Sequence, residues 1–210
     1  MKVVIFGASG GTGRDVVQKA LQQGYLVTAF VRHPASMGKF TKNKNFKIIQ
    51  GNVLSAEDVK KAVKGQQVVI SVLGNKTTNA LWKKDTTVSD GLRHIIAAMK
   101  KYKVKRIIFV ASFGVNENIF LPEKMILRTI LKNLFADIPT QEKLLRQSGL
   151  DWTIVHPARL TNETSQQAYK IGEDLWIQPF SHISRADVAD FLIKEIRDRK
   201  YLHKKVTISL

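Results

Sequence analysis

The stretch Lys2-Val3-Val4-Ile5-Phe6-Gly7-Ala8-Ser9-Gly10-Gly11-Thr12-Gly13-Arg14-Asp15-Val16-Val17 decides how the rest of the chain is read. An apolar run of strand length stops at Gly7. An amphipathic segment follows, with Val16, Val17, Ala20 and Leu21 at helical spacing and Gly24 as its stop. Lys2–Ala8 is therefore expected to be a strand and Gly11–Gln23 a helix. Glycines at 7, 10 and 13 between a strand and a helix make a loop suited to wrapping a phosphate. Gly7 permits the tight turn, Gly10 and Gly11 let backbone approach a pyrophosphate, and Gly13 lets helix pack on strand. The helix N-terminus offers free N–H groups and partial positive charge there, and Ser9 and Thr12 add hydroxyl donors. The loop reads as a dinucleotide site.

Working outward, short apolar runs alternate with amphipathic stretches to the end of the chain. Strands are expected at Tyr25–Val31, Phe46–Gln50, Gln67–Leu73, Arg106–Ala111, Asp151–His156 and Lys205–Ser209. Helices are expected at Ser55–Val63, Asp85–Tyr102, Met125–Phe135, Thr140–Gln147 and from Ser184 to about Arg197. Ser55 with Asp58, and Ser184 with Asp187, have capping-box spacing. This pattern predicts an α/β chain: a Rossmann-type doubly wound parallel sheet with helices on both faces, as one domain over 1–210. Asn116–Ile138 and Leu160–Phe180 break the alternation. Substrate-side insertions are accordingly expected at about 113–138 and 160–181.

Composition narrows the chemistry. The 210 residues contain no cysteine, which excludes disulfides, thiolate catalysis and Cys-based metal sites. No His pair has metal-ligand spacing, so no metal is expected. The apolar run at the N-terminus is too short for a signal sequence or a membrane span, and a cytoplasmic location with no membrane partner is the expectation. A formal charge of +17 favours anionic partners, nucleic acid included. Yet the basic residues are spread along the chain and no nucleic-acid-binding motif accompanies them, so a solvated basic surface is expected.

The end of the second strand selects the cofactor. A site for NAD(H) usually carries an acid about twenty residues past the glycine loop to grip the ribose hydroxyls. Here Phe30-Val31 is followed by Arg32 and His33. A carboxylate would repel a 2′-phosphate, whereas Arg32 can fork onto it and stack beside the adenine. NADP(H) is expected ahead of NAD(H).

With these residues placed, the chain resembles an atypical short-chain dehydrogenase/reductase of the NmrA-like group, and within it the biliverdin reductase B (flavin reductase) branch. The resemblance is carried by Gly7–Gly13, Val31-Arg32, Gly51–Leu54, Leu73-Gly74, Gly91–Lys100, Ala111–Phe113, Ser148–Pro157 and Ile183–Ala189. It implies that Asn52 and Val53 flank the adenine, and that Leu73 and Gly74 pass beneath the ribose and nicotinamide. It further implies that Ser112 sits near the nicotinamide to hold or polarise the acceptor, and that Pro157 lines the far side of that ring. Arg159 falls where that branch has a pocket histidine. The Tyr-x-x-x-Lys pair of typical members is missing from the helix after strand five, which carries Thr140-Gln141-Glu142-Lys143. The spacing match at Tyr201 and Lys205 lies after the last helix and is read as chance.

Without that tyrosine, carbonyl reduction and sugar-nucleotide epimerisation or dehydration are disfavoured. Hydride transfer to a planar acceptor needs chiefly proximity and orientation, and water can supply the proton. The expected activity is thus NADPH-dependent reduction of a flavin, quinone or similar conjugated acceptor, with Phe113 or Trp82 as a stacking face. A non-catalytic NADP(H) sensor with a protein or nucleic-acid partner is the alternative, and a monomer or small homo-oligomer is expected. His94 is read as structural. His156, ending strand six, is a candidate proton donor but is expected to be packed, and Glu142 is expected on a solvated helix face.

Overall fold

In the computed structural model, the residues described are 1–74, 85–111, 136–166, 168–173, 175–176, 178 and 181–210. The elements run β1 (Lys2–Phe6), α1 (Gly11–Gln22), β2 (Leu26–Val31), a 3-10 helix (Pro34–Phe40), β3 (Phe46–Gln50), α2 (Ala56–Val63), β4 (Val68–Ser71), α3 (Thr87–Lys101) and β5 (Arg106–Val110). Then come α4 (Ile138–Arg146), β6 (Asp151–Pro157), β7 (Arg159–Thr161), β8 (Lys170–Gly172), β9 (His182–Ser184), α5 (Arg185–Asp198) and β10 (Lys204–Ser209). The expected Met125–Phe135 helix lies outside the described residues.

Eight strands form one sheet in the order β3-β2-β1-β4-β5-β6-β10-β8, and β7 pairs with β9 in a small parallel sheet. All neighbours in the large sheet are parallel except β10 with β8. The order reverses between β1 and β4, as in a doubly wound sheet. Strand alternation sorts the core into two layers. Val3 and Ile5 of β1 join α1 and α5 on one face; Val4 and Phe6 join α2, α3 and α4 on the other. Burying each large aliphatic side chain contributes roughly 1.5–3 kcal/mol, against about 1 kcal/mol for a helix cap, so these two layers hold the sheet together.

Local signals set the boundaries. Gly24, at φ +72°, ends α1 in a Schellman turn: Tyr25 N–H donates to Ala20 O and Gly24 N–H to Leu21 O. Ser55 Oγ accepts the Asp58 N–H, and Ser184 Oγ accepts the Asp187 N–H. Asp58 departs from the capping-box expectation. Its carboxylate accepts from Asn52 N–H at 3.2 Å rather than from the Ser55 N–H, which donates to Asn52 O. Strands β7 and β8 arise within the segment expected to be irregular, and each is only three residues long. Such short pieces carry no readable periodicity.

Candidate functional site

Where the strand order reverses, the loops after β1 and β4 part and leave a cleft of about 450 Å³. Gly7, at φ +81°, turns the chain away from β1 beneath the β4 loop. A Cβ there would stand 2.6 Å from Val72 O. A Cβ at Gly13 would stand 2.1 Å from Gly7 O, so only glycine lets α1 begin this close to β1. Gly10 is the N-cap of α1, no side chain caps that end, and its first turn holds no acid. Ser9 and Gly10 face the cleft. The Arg185 side chain lies against Gly11. Thr12 is half-buried at the start of α1.

The other candidate cofactor residues close around the same space. Arg32, Asn52, Val53, Leu73 and Gly74 all line it. Arg32 is exposed at the end of β2, and its carbonyl accepts Gln50 Nε2 at 3.3 Å. The Asn52–Val53 loop is fixed from three directions. Asp58 takes the Asn52 N–H, and this bond is the leading cause holding that carboxyl below its ordinary value. His94 Nδ1 is 3.0 Å from Val53 O, which gives the residue read as structural a definite duty. Gly91 leaves room for Val53, whose Cγ2 is 2.5 Å from where a Cβ would be.

Sequence reading missed part of the lining. Phe30 supplies an apolar wall, and Asp85, Thr87 and Val88 bring the start of α3 to the cleft. Asp85 Oδ1 accepts the Thr87 N–H at 2.9 Å. The signal was available: a helix following a parallel strand must start at the edge where that strand ends.

The expected acceptor side is less fully placed. Ser112, Phe113 and Trp82 lie outside the described residues. Pro157 ends β6, buried at the same sheet edge, and Arg159 is exposed on β7; neither lines the cleft. Glu142 corrects an expectation: it is partly buried beside His156 and Lys205 rather than on a solvated face. Its Oε1 is 3.0 Å from Nε2 of His156, which is 3% exposed. Burial raises the Glu142 carboxyl, but the imidazole, Lys205 and Arg146 outweigh burial and hold it below its usual value. His156 is thus packed, as expected. Tyr201 lies at the opposite sheet edge, where its N–H donates to Glu195, which supports reading its spacing to Lys205 as chance. Among the described residues no cluster of His, Asp and Glu could hold a metal ion, and no helix is long and apolar enough to cross a membrane.

A family model described as NAD(P)H-binding matches residues 7–199. The photosystem II assembly factor Ycf39 of Synechocystis is 25% identical over 93% of this chain, which spans only 58% of that protein's length. A Rossmann-fold NAD(P)-binding family protein from Shigella flexneri is 28% identical, with TM-score 0.77 over 99% of this chain and 92% of its own. The anaerobillin reductase ChuY of Escherichia coli O157:H7 shares the fold at 20% identity, with TM-score 0.79 over 99% of this chain and 96% of its own.

Proposed function

The chain belongs to the NAD(P)H-binding family of atypical short-chain dehydrogenases/reductases, and from that premise we propose that it is an NADPH-dependent reductase of a flavin, quinone or similar planar acceptor. The observation that carries the cofactor half is Arg32 at the mouth of a cleft whose Asn52–Val53 loop is fixed by Asp58, His94 and Gly91. In this reading Arg32 pairs with the 2′-phosphate, the Gly7–Gly13 loop cradles the pyrophosphate, and Asn52 with Val53 flank the adenine. Leu73 and Gly74 pass beneath the ribose. When bound, the nicotinamide supplies the hydride.

The acceptor half rests on α4. Along this helix Ile138 and Gln141 are buried, and Glu142 is engaged by His156, so its described side chains include no phenol to protonate a ketone. An acceptor that takes its proton from water suits such a site. In the proposed arrangement Ser112 holds the acceptor, Phe113 or Trp82 stacks on it, and Pro157 and Arg159 border the same pocket. The shared fold with ChuY, a reductase, is in keeping with this. Initial rates of NADPH oxidation with riboflavin, FMN and menadione test the proposal. We expect saturable turnover with at least one; rates at background with every planar acceptor would reject it.

One observation favours a second reading as an NADP(H)-loaded regulatory protein. The chain carries +17 and resembles proteins named assembly factors. That reading requires partner affinity to differ between the NADP⁺ and NADPH forms. Equal affinity together with robust turnover removes it.

A further inference from the structure

Gly11 is the first residue of α1, next to the cleft-facing Gly10. A Cβ at Gly11 would stand 2.7 Å from both Cδ and Nε of Arg185, so the arginine side chain lies across the bare face of this glycine. Arg185 is the first residue of α5, where the Ser184 cap fixes the backbone. Its Nη1 donates to Asn162 Oδ1 at 2.7 Å, and Asn162 directly follows β7. A guanidinium has five N–H donors, so one bond to a neutral amide leaves most of its capacity unused.

The surrounding charges make the placement more telling. A cation at the first turn of a helix has the wrong sign for that end of the dipole, here for α5 and for the adjoining α1. Of the nearby acids, Asp187 is taken up by hydrogen bonds and Asp15 is shared among three cations. Asp187 accepts from Ser184, Ser165 and Gln166. Burial lifts the Asp15 carboxyl, while Lys39, Arg185 and Lys19 all draw on it. An anion at the loop would relieve this excess of positive charge.

We propose that Arg185 is a cofactor ligand whose guanidinium, resting on Gly11, pairs with the pyrophosphate of the bound dinucleotide. This rests on the cleft being the cofactor site. It gives Gly11 a purpose distinct from Gly7 and Gly13, because any side chain at 11 would push the guanidinium off the loop. It also joins two regions. Through Asn162 the same side chain holds the segment after β7, on the side expected to receive the acceptor, so cofactor binding and the order of that segment are linked.

The test compares wild type, Arg185→Met and Arg185→Lys by calorimetry with three probes: NADPH, 2′-phospho-ADP-ribose and 2′-AMP. The first two contain the pyrophosphate and the third does not. Arg185→Met is expected to weaken NADPH and 2′-phospho-ADP-ribose by the same factor, about tenfold for one charge-assisted pair, and to leave 2′-AMP unchanged. Arg185→Lys keeps the charge and is expected to recover part of the loss. Wild-type affinity of Arg185→Met for NADPH overturns the proposal, and so does equal weakening of all three probes, which marks a purely structural role. Failure of the cofactor reading looks different: wild type itself binds none of the three.

Discussion

At the N-terminal edge of the sheet Arg106 and Glu195 are shut in on each other; at the C-terminal edge Arg32 stands in solvent beside an open cleft. Arg106 Nη2 donates to Glu195 Oε1 at 2.9 Å, and its Nη1 donates to Asp151 O and Thr153 Oγ1. Glu195 also accepts the Tyr201 N–H, and Thr153 donates to Tyr201 O. This knot ties β5, β6, α5 and the turn before β10. Burial still pushes the Arg106 guanidinium down to about 10, despite the attraction of Glu195. A cation whose pKa falls on folding is charged at a cost at neutral pH, so part of the attraction of Glu195 goes to offsetting burial. The cleft edge reverses this. Its glycines remove side chains, and its polar groups face a space that a ligand can fill. One edge closes its charges into the fold, and the other holds them for something outside it.

The largest effect is expected at the knot. Glu195→Ala leaves a buried guanidinium unpaired and should cost on the order of 3–5 kcal/mol in urea unfolding, with the affinity of the folded fraction for NADPH unchanged. The double variant Arg106→Met/Glu195→Leu should recover part of that loss, because it removes the unpaired charge while leaving the Tyr201 N–H without its acceptor. A double variant as unstable as Glu195→Ala would show that the knot does stabilise the fold. Next comes Gly13→Ala, whose Cβ would fall 2.1 Å from Gly7 O. Overpacking of this kind costs about 1–3 kcal/mol, and because the shift lands on the phosphate loop, NADPH binding should fall at least tenfold. Unaltered affinity would separate the loop from the cofactor.

Arg32→Ala sharpens the contrast from the cleft side. Losing one charge-assisted pair should weaken NADPH by about tenfold to a hundredfold and leave both NADH affinity and urea stability as in wild type. Equal loss for both nucleotides would remove the 2′-phosphate from the account. The smallest effect is expected at Glu142. Its folded value is held below the ordinary 4.5, so its contribution is fully present above that pH and is lost as pH falls through the lowered value. Wild type and Glu142→Gln should therefore differ in Tm at pH 7 and converge in strong acid. Curves that stay parallel would assign Glu142 no charge role.

What sequence could reveal followed from distance along the chain. The glycine loop, the two serine caps and the period-2 strands are local patterns, and they foretold the sheet, its two helical layers and most of the cleft. The Arg185 side chain on Gly11, the His94 contact to Val53 and the Arg106–Glu195 pair join residues far apart in sequence, so no spacing announces them. Glu142 was misread for the same reason. Its neighbours in sequence suggest a helix surface, and only the packing of α4 against β6 puts His156 beside it.

Anaerobic single turnover shows whether a nicotinamide held in this cleft passes hydride to a planar acceptor. Protein pre-loaded with one equivalent of NADPH is mixed with FMN or menadione and followed at 340 nm. The bound NADPH signal is expected to disappear at a rate that rises and saturates with acceptor. Bound NADPH that persists unchanged with each acceptor would contradict it.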